Sequence, residues 1–401
     1  MRNAILVLTI LTILAAPCFC ATINVNWDGT GDYTTIQAGI NAAGNGDMVI
    51  VAEGTYYENI DMKNGVTLIG SGADATTING GGNGHVVSFS SASGTISGFT
   101  ITNSGSSSTL ISGITISQST VTIENNVITN NRKGITLFSN SNCIIKGNKV
   151  IDNDTEGIEM RDSNGTIFNN VIAGNFRNGI RCFSSAPSII NNTITDSGSG
   201  LSCDPVSPQI ISNNIIAHNE IGIYAHCTND PPSPLLHISY NNVWDSSSAN
   251  YWEDYDLYDI GQHVSQPFTP LPGTGEINVD PLFATGPLGD YYLSQTAAGQ
   301  GANSPCVDAG SDTAENLGLD IYTTRTDKVW DVGIVDMGYH YSGNVADFDN
   351  DGSVDLEEFG ILFSQWQDVP GTPSADIAPE GGDNFVDLQD LLMLTENWPW
   401  P

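Results

Sequence analysis

Short runs of β-branched and aliphatic residues recur through the middle of the chain, each followed by a polar turn. The repeated phrase has one or two asparagines, a β-branched pair, a polar turn and a Gly-Ile step. It reads ENNVITNNRKGI from Glu124, GNKVIDNDTEGI from Gly147 and NNVIAGNFRNGI from Asn169, with looser copies from Asn191 and Asn213. Alternating runs of this kind, bounded by Gly, Asn and Ser, are typical of β-strands.

The spacing of this phrase is nearly constant. Its glycines follow one another at intervals of 21, 23, 22, 21 and 22 residues, at Gly113, Gly134, Gly157, Gly179, Gly200 and Gly222. No helical pattern separates the strands, and a β-sandwich would need hairpin turns and would not keep so regular a period. The sequence therefore predicts an all-β solenoid of parallel strands, three short strands to a coil, with an asparagine ladder at equivalent turns.

These repeats resemble the coils of the pectate-lyase-like superfamily, which implies a right-handed parallel β-helix. The segment from Trp27 to Ile60 adds an amphipathic helix, predicted at about 34–43 with Ile36, Ile40 and Ala43 on one face. This start is similar to that of pectin methylesterases and related β-helices, where a helix caps the open end of the solenoid. No stretch matches the catalytic core of pectin methylesterases, so that activity is not carried over.

The predicted organisation has four parts. A signal peptide at 1–20 combines Arg2 with an apolar run that is too short to span a bilayer. The β-helix domain covers 21–341, with regular coils at about 98–245 and an insertion and closing coils at 246–341. A linker at 342–346 leads to a C-terminal module at 347–401. We therefore expect a secreted or cell-surface protein, with no later stretch suited to a membrane span.

Charge and cysteine content narrow the possibilities further. The net charge of −34, from 45 acids and 11 bases, argues against a nucleic-acid partner and fits either a calcium-binding protein or plain solubility. Cleavage of the signal leaves five cysteines, an odd number. Cys182 and Cys203 should stack inside neighbouring coils, as buried small side chains rather than a disulfide.

One face of the predicted solenoid combines charged and aromatic residues. Because side chains alternate along a strand, the positions two and four after each repeat glycine should point outward. The first column is Thr136, Glu159, Arg181, Ser202 and Tyr224; the second column is Phe138, Arg161, Phe183, Asp204 and His226. Seven of the 11 bases lie between Arg132 and Arg181.

The two columns suggest a site for an acidic polysaccharide. Candidate catalytic residues are Asp204, His226, Arg181 and Arg161, with Asp204 orienting His226 as a general base. Candidate substrate-binding residues are Glu159, Phe183, Tyr224 and Trp252. The alternatives are a cross-strand ion pair between Glu159 and Arg181, surface hydrogen bonding for His226, and a lid packed on the last coils for the aromatic and acidic segment around Trp252.

The C-terminal module carries a calcium-loop pattern. The twelve residues DFDNDGSVDLEE place oxygen side chains at positions 1, 3, 5, 9 and 12, with Gly352 at the sharp bend. The predicted ligands of this first loop are Asp347, Asp349, Asp351, the carbonyl of Ser353, Asp355 and Glu358. The segment DLEEFGILFSQW recurs at an offset of 32 as DLQDLLMLTENW. The predicted ligands of the longer second loop, 376–390, are Asp376, Asp383, the carbonyl of Phe385, Asp387 and Asp390.

Two loop-plus-helix units in tandem resemble a type I dockerin over residues 347–398. The resemblance implies a cohesin-like partner, contacted at Leu356–Glu357 and Leu388–Gln389. The sequence thus supports two functions. The first is a secreted β-helix that binds or degrades an acidic polysaccharide, as a lyase or glycoside hydrolase if it is an enzyme. The second is a non-catalytic surface or matrix protein with a calcium-stabilised anchor.

Overall fold

The fold of the chain is seen in a computed structural model that describes residues 20–204, 210–227, 237–257, 262–269, 275–342, 356–371, 375, 377 and 385–396. Three long sheets run side by side along a right-handed parallel β-helix, as predicted. Each coil contributes one strand to sheet A, one to sheet B and one to sheet C. Among the described residues no helix is long and apolar enough to cross a membrane.

The strands of each sheet are as follows. Sheet A contains β1 (Thr22–Val25), β2 (Met48–Val51), β5 (Val66–Gly70), β8 (Ser93–Ser97), β11 (Thr120–Glu124), β14 (Asn142–Lys146), β17 (Asn164–Phe168), β20 (Ser188–Ile190), β23 (Ile210–Ser212) and β26 (Ile238–Ser239). Sheet B contains β3 (Gly54–Tyr56), β6 (Thr76–Asn79), β9 (Thr100–Thr102), β12 (Val127–Thr129), β15 (Lys149–Ile151), β18 (Val171–Ala173), β21 (Thr193–Thr195), β24 (Ile215–Ala217) and β27 (Asn242–Trp244). Sheet C contains β4 (Ile60–Asp61), β7 (Val87–Ser90), β10 (Ile114–Ser117), β13 (Ile135–Phe138), β16 (Ile158–Arg161), β19 (Asn178–Phe183), β22 (Ser199–Asp204), β25 (Ile221–Cys227), β28 (Ala249–Leu257) and β29 (Gln262–Pro267).

The coils begin earlier than the sequence repeat suggested. Strands β2, β3 and β4 already form a coil, more than thirty residues before the predicted start near residue 98. Helix α1 (Ile36–Ala42) confirms the predicted capping helix, and Ile36 and Ile40 are buried against the first strands. Glu58 anchors the start of this helix, because its carboxylate accepts hydrogen bonds from the backbone N–H groups of Ile36 and Gln37.

Most bends between the described strands use a residue with a left-handed backbone. Between sheets A and B the positive φ falls at Gly98, Asn125, Gly147, Asn169, Asn191, Asn213 and Tyr240. Glycine and asparagine tolerate this conformation better than other residues, which explains their recurrence. The next asparagine forms the predicted ladder inside the turn, and its members are Asn126, Asn148, Asn170, Asn192, Asn214 and Asn241.

Residues 275–342, which we call the strap, begin as a closing segment on the last coil, where Ile277 pairs with Asn242 and Glu276 accepts two hydrogen bonds from Asn241. The rest of the strap adds no further coil, which differs from the prediction. The strap lies across the outer face of sheet B and contains β30 (Phe283–Gly286), β31 (Gly289–Leu293), a short 3-10 helix (Thr296–Ala298), α2 (Ala314–Leu317), β32 (Tyr322–Thr323) and β33 (Tyr341–Ser342). It is fastened to the left-handed asparagines of three successive coils. Asn169 exchanges two hydrogen bonds with His340, Asn191 donates to the carbonyl of Asp336, and the carbonyl of Asn213 accepts from Gly338.

Candidate functional site

The strand register of sheet C confirms both outward columns. Glu159 pairs with Arg181, Arg181 with Ser202 and Ser202 with Tyr224, while Arg161 pairs with Phe183 and Phe183 with Asp204. Strand β28 extends both columns by one coil, because Trp252 pairs with Tyr224 and Asp254 with His226. The sequence period therefore placed seven of the eight predicted site residues in these columns, and strand β28 adds Trp252.

Glu159 points outward as predicted, but its side chain is fully buried by its neighbours. Its Oε1 lies 2.7 Å from Nη2 of Arg161, and its Oε2 lies 2.5 Å from Nζ of the buried Lys133. Burial alone would raise the pKa of Glu159, but the hydrogen bonds and charges of Arg161 and Lys133 outweigh burial and lower it. The carboxylate therefore fixes these two cations instead of facing solvent.

Arg161 and Arg181 keep their guanidinium groups partly exposed, with 39% and 29% of each side chain accessible. The hydrogen bond to Glu159 raises the pKa of Arg161, and its guanidinium carbon lies 6.0 Å from the ring centroid of Phe183. Arg181 lies 3.8 Å from Glu159 and 3.8 Å from Asp204. Two cations thus lie on neighbouring coils, about 4.8 Å apart along the solenoid axis, and Arg161 is fixed by a hydrogen bond to Glu159.

The predicted Asp204–His226 hydrogen bond is not formed. Nε2 of His226 lies 4.0 Å from Oδ1 of Asp204, and its Nδ1 lies 3.9 Å from Oδ2 of Asp254. Both distances exceed a hydrogen bond. The imidazole therefore sits between two carboxylates without a hydrogen bond to either one.

Asp254 contacts two side chains at the end of the outer face of sheet C. It accepts a hydrogen bond of 2.7 Å from the hydroxyl of Tyr224 and lies 2.9 Å from Nε2 of His263. Burial, followed by this hydrogen bond, raises the pKa of Tyr224 well above its usual value. Sequence reasoning missed His263 because β29 pairs antiparallel with β28 and has no counterpart in the repeat.

The aromatic and acidic segment divides between the two faces of β28. Tyr251, Glu253 and Tyr255 are buried, and Tyr251 continues the interior column above Ile223. Because Tyr251 and Tyr255 are buried, they cannot stack on a ligand. They match the alternative of a lid packed on the last coils. Trp252 stays on the outer face, where its Nε1 donates to Oγ of Ser265.

Cys182 and Cys203 are unpaired and buried in register on neighbouring coils, which confirms the prediction. Cys143 and Cys306 are also unpaired and buried. The side chain of Cys227 lies outside the described residues.

The C-terminal module contains two helices, α3 (Leu356–Ser364) and α4 (Leu388–Glu396), at the predicted offset of 32. Glu358 and Asp390, the residues that close the two predicted loops, are both buried. Asp390 accepts hydrogen bonds of 2.7 Å from the backbone N–H groups of Ile377 and Asp387. Phe385 is half-exposed. Residues 1–19 of the predicted signal peptide lie outside the described residues. So do the remaining predicted calcium ligands, namely Asp347, Asp349, Asp351, Ser353, Asp355, Asp376 and Asp383.

Comparison with known proteins places these coils in a family. The family model described as periplasmic copper-binding protein (NosD) matches residues 39–257, more than half of the chain. No curated protein matches the chain in sequence.

Several solved structures share the β-helix fold. The A-module of the mannuronan C-5 epimerase AlgE6 from Azotobacter vinelandii is 16% identical, with a TM-score of 0.40 over 57% of this chain and 78% of that one. An alginate lyase from Paenibacillus sp. is 18% identical, with a TM-score of 0.43 over 59% and 91%. The carrot pectin methylesterase is 10% identical, with a TM-score of 0.39 over 66% and 90%. This similarity concerns the fold alone.

The copper in the family's description does not fit the side chains that the structure describes. Among them, no three His, Cys, Asp or Glu residues are grouped to hold a metal ion. The described core thiols, which would be soft ligands for copper, are buried inside the solenoid or beneath the strap. No step in the function considered below passes through copper.

Proposed function

The chain belongs to the NosD family of periplasmic copper-binding proteins, and on that premise we propose that it works outside the cytoplasm as a β-helix that binds an acidic polysaccharide along sheet C. The observation that carries the proposal is the pair of partly exposed guanidinium groups of Arg161 and Arg181, held in place by the buried Glu159. Guanidinium groups bind carboxylates through charge-assisted, often bidentate hydrogen bonds.

The surroundings of this pair suit a sugar chain. Phe183, Tyr224 and Trp252 lie on the same outward columns, so their rings can stack on pyranose faces while the arginines bind uronate groups. The solenoid repeats its side chains at about 4.8 Å, which is comparable with the rise of one sugar unit in an extended polysaccharide. A rigid surface of this kind loses little conformational entropy on binding.

Cleavage of the bound chain is a further step in the proposal. His226 lies between Asp204 and Asp254, at the end of the face where Tyr224 also presents its hydroxyl. A lyase would need such a group to take the proton next to the uronate carboxyl. The alternative of a non-catalytic surface protein is favoured by the carboxylates near each arginine, which neutralise much of the local positive charge.

Binding is tested by affinity electrophoresis in gels that contain polygalacturonate or alginate. The Arg161→Ala/Arg181→Ala variant should raise the Kd at least tenfold, because charge-assisted hydrogen bonds contribute about 1.5–3 kcal/mol each. Arg177→Ala is the matched control, because Arg177 is an exposed arginine outside both columns. Unchanged mobility of the double variant, or no retardation of the wild type, would contradict the proposal. Unsaturated product absorbing at 235 nm would separate a lyase from a binding protein.

We further propose that the C-terminal module binds calcium through loops 347–358 and 376–390. Support comes from the paired helices and from the burial of Glu358 and Asp390 at equivalent loop ends. Bound calcium would neutralise clustered carboxylates in a module that has 13 acids and no base in residues 346–401.

Calcium binding is measured by isothermal titration of the full chain. Asp351→Ala should weaken binding at the first loop by tenfold or more, because a direct carboxylate ligand is lost. Asp368→Ala changes an exposed acid outside both loops and should leave the titration unaltered. An Asp351→Ala titration identical with the wild type would reject the ligand assignment.

The module is also proposed to dock onto a cohesin-like partner. Leu388 and Gln389 are exposed at the start of α4, where the dockerin resemblance places partner contacts. A Leu388→Asp variant should keep calcium binding and lose capture by a recombinant type I cohesin module. Capture that persists in this variant would contradict the docking surface.

A further inference from the structure

A cavity of about 350 Å³ lies between the outer face of sheet B and the β30–β31 hairpin of the strap, away from the columns of sheet C. Its floor is apolar, because Val171 and Ala173 point outward from β18 and are 2% and 7% exposed. Tyr341 packs on the same floor. Ligand sites in proteins have volumes of about 300–1,000 Å³ and combine such apolar floors with a few polar groups.

Three carboxylates and one amine converge on this cavity. Asp152 and Asp196 come from the left-handed turns that follow β15 and β21, and Asp290 comes from the hairpin. Gly174 occupies the equivalent turn of the coil between Asp152 and Asp196, and because it has no side chain it leaves the cavity open. A Cβ atom at that glycine would lie 2.4 Å from Oδ1 of Asp152.

Tyr291 of the hairpin lines the same cavity as the three acids. Burial, and then the charges of Asp196, Asp290 and Asp152, raise the pKa of Tyr291 to about 12. Its phenol therefore stays protonated and can donate a hydrogen bond into the cavity. The Lys149 amine is engaged at the rim, donating to the carbonyl of Leu288 at 2.6 Å and lying 5.6 Å from the ring centroid of Tyr341.

The charged side chains that line the cavity indicate which class of ligand it suits. Three acids against one lysine disfavour an anion such as a uronate. The described residues contain no group of three His, Cys, Asp or Glu side chains arranged for a metal ion. Carboxylates that accept hydrogen bonds from neighbouring hydroxyls, beside tyrosine rings and an apolar floor, suit an uncharged polyol.

We propose that this cavity binds an uncharged sugar unit, with Asp152, Asp196 and Asp290 accepting its hydroxyl groups and Tyr291 lining the ring. The site is separate from the arginine pair on sheet C. The chain would then hold two carbohydrates of different charge on two of its faces.

Saturation-transfer NMR on the full chain tests this proposal with glucose, galactose, mannose, xylose, cellobiose and galacturonate as probes. At least one neutral sugar should bind. In the Arg161→Ala/Arg181→Ala variant, which removes the proposed uronate site on sheet C, galacturonate should bind at least tenfold more weakly than that sugar. The Asp152→Asn/Asp196→Asn variant keeps the left-handed turns, since asparagine tolerates them, and should weaken neutral-sugar binding at least tenfold.

Asp245→Asn is the matched control, because Asp245 is an exposed acid in the same column of turns but outside the cavity. This control and Arg161→Ala/Arg181→Ala should both retain neutral-sugar binding. The proposal is overturned if no neutral sugar binds, or if the double asparagine variant binds as tightly as the wild type. Either failure leaves the acidic-polysaccharide test on sheet C unaffected.

Discussion

The two neighbouring asparagines of a repeat have different structural roles. The first, for example Asn191, takes the left-handed backbone that turns the chain from sheet A to sheet B. The second, Asn192, points inward and donates to the carbonyls of Ile167 and Ile190 and to the amide of Asn214. Each ladder amide thus satisfies backbone groups that the bend would otherwise leave buried without partners.

The ladder predicts a large stability cost at one residue. Asn170→Ala would remove the five hydrogen bonds of its side-chain amide, including the one to the carbonyl of Ile145. We expect the free energy of unfolding to fall by about 2–4 kcal/mol, measured by urea denaturation of the full chain.

The control for this prediction is Asn140→Gly, which alters an exposed asparagine with a φ of 63°. Glycine accepts that backbone, so its effect should stay within about 0.5 kcal/mol. Equal losses in the two variants would show that the ladder contributes nothing specific.

Individual residues also show which features of the site could not be predicted from the sequence. Alternation along the strands placed Glu159 and Arg181 side by side correctly. Alternation does not show what covers an outward position, and Lys133, which pairs with Glu159 from the preceding coil, lies outside both columns. Burial of an outward side chain depends on such neighbours and cannot be read from the period alone.

At the scale of elements, the strap is fastened by a buried cluster of charged groups. Nε2 of His340 lies 2.8 Å from Asp331, and Nδ1 lies 3.1 Å from the carbonyl of Gly338. Asp336 also accepts hydrogen bonds from Thr324 and from the backbone of Asp308.

This cluster predicts that the strap loosens as the pH rises. Burial, and then the charge of Asp331, raise the pKa of Asp336 to about 6 from an ordinary 3.8. A raised pKa stabilises the folded state at low pH, and this contribution is lost as the pH rises through about 6. Amide-exchange protection of residues 336–340, corrected for intrinsic rates, should fall about tenfold or more between pH 5 and 7.5.

Asp336→Asn should flatten this pH dependence, because asparagine stays neutral and still accepts a hydrogen bond. Asp312→Asn changes an exposed acid of the same strap and should preserve the slope. If the Asp336→Asn variant kept the full pH dependence of amide-exchange protection, that dependence would belong to another titrating group.

The strap was the element least accessible to sequence reasoning. Its strands are short, it has no internal period, and its contacts join residues far apart in the chain, such as Asn169 and His340. The outward apolar residues Val171 and Ala173 were the available signal, because an exposed coil position would more often be polar.

At the scale of the whole molecule, the sequence predicted the architecture far better than the chemistry. A repeat of 21–23 residues forces a solenoid, because each coil can bury its apolar side chains only against the next one. The arginine pair follows the repeat, but other functional features lie where this regularity is broken. His263 follows an antiparallel turn, and the cavity beside Tyr291 exists only where the strap crosses sheet B.

The attachment of the strap also decides how mechanical tension reaches the β-helix. The chain leaves the strap at Ser342, just after His340 is bound to Asn169 in the middle of the solenoid. A pulling force on the C-terminal module is therefore distributed over the coils of Asn169, Asn191 and Asn213, which it loads in shear. It does not peel away the last strand of the solenoid. A protein held by its tail in flowing liquid would keep its coils closed under loads that would unravel a solenoid pulled from its end.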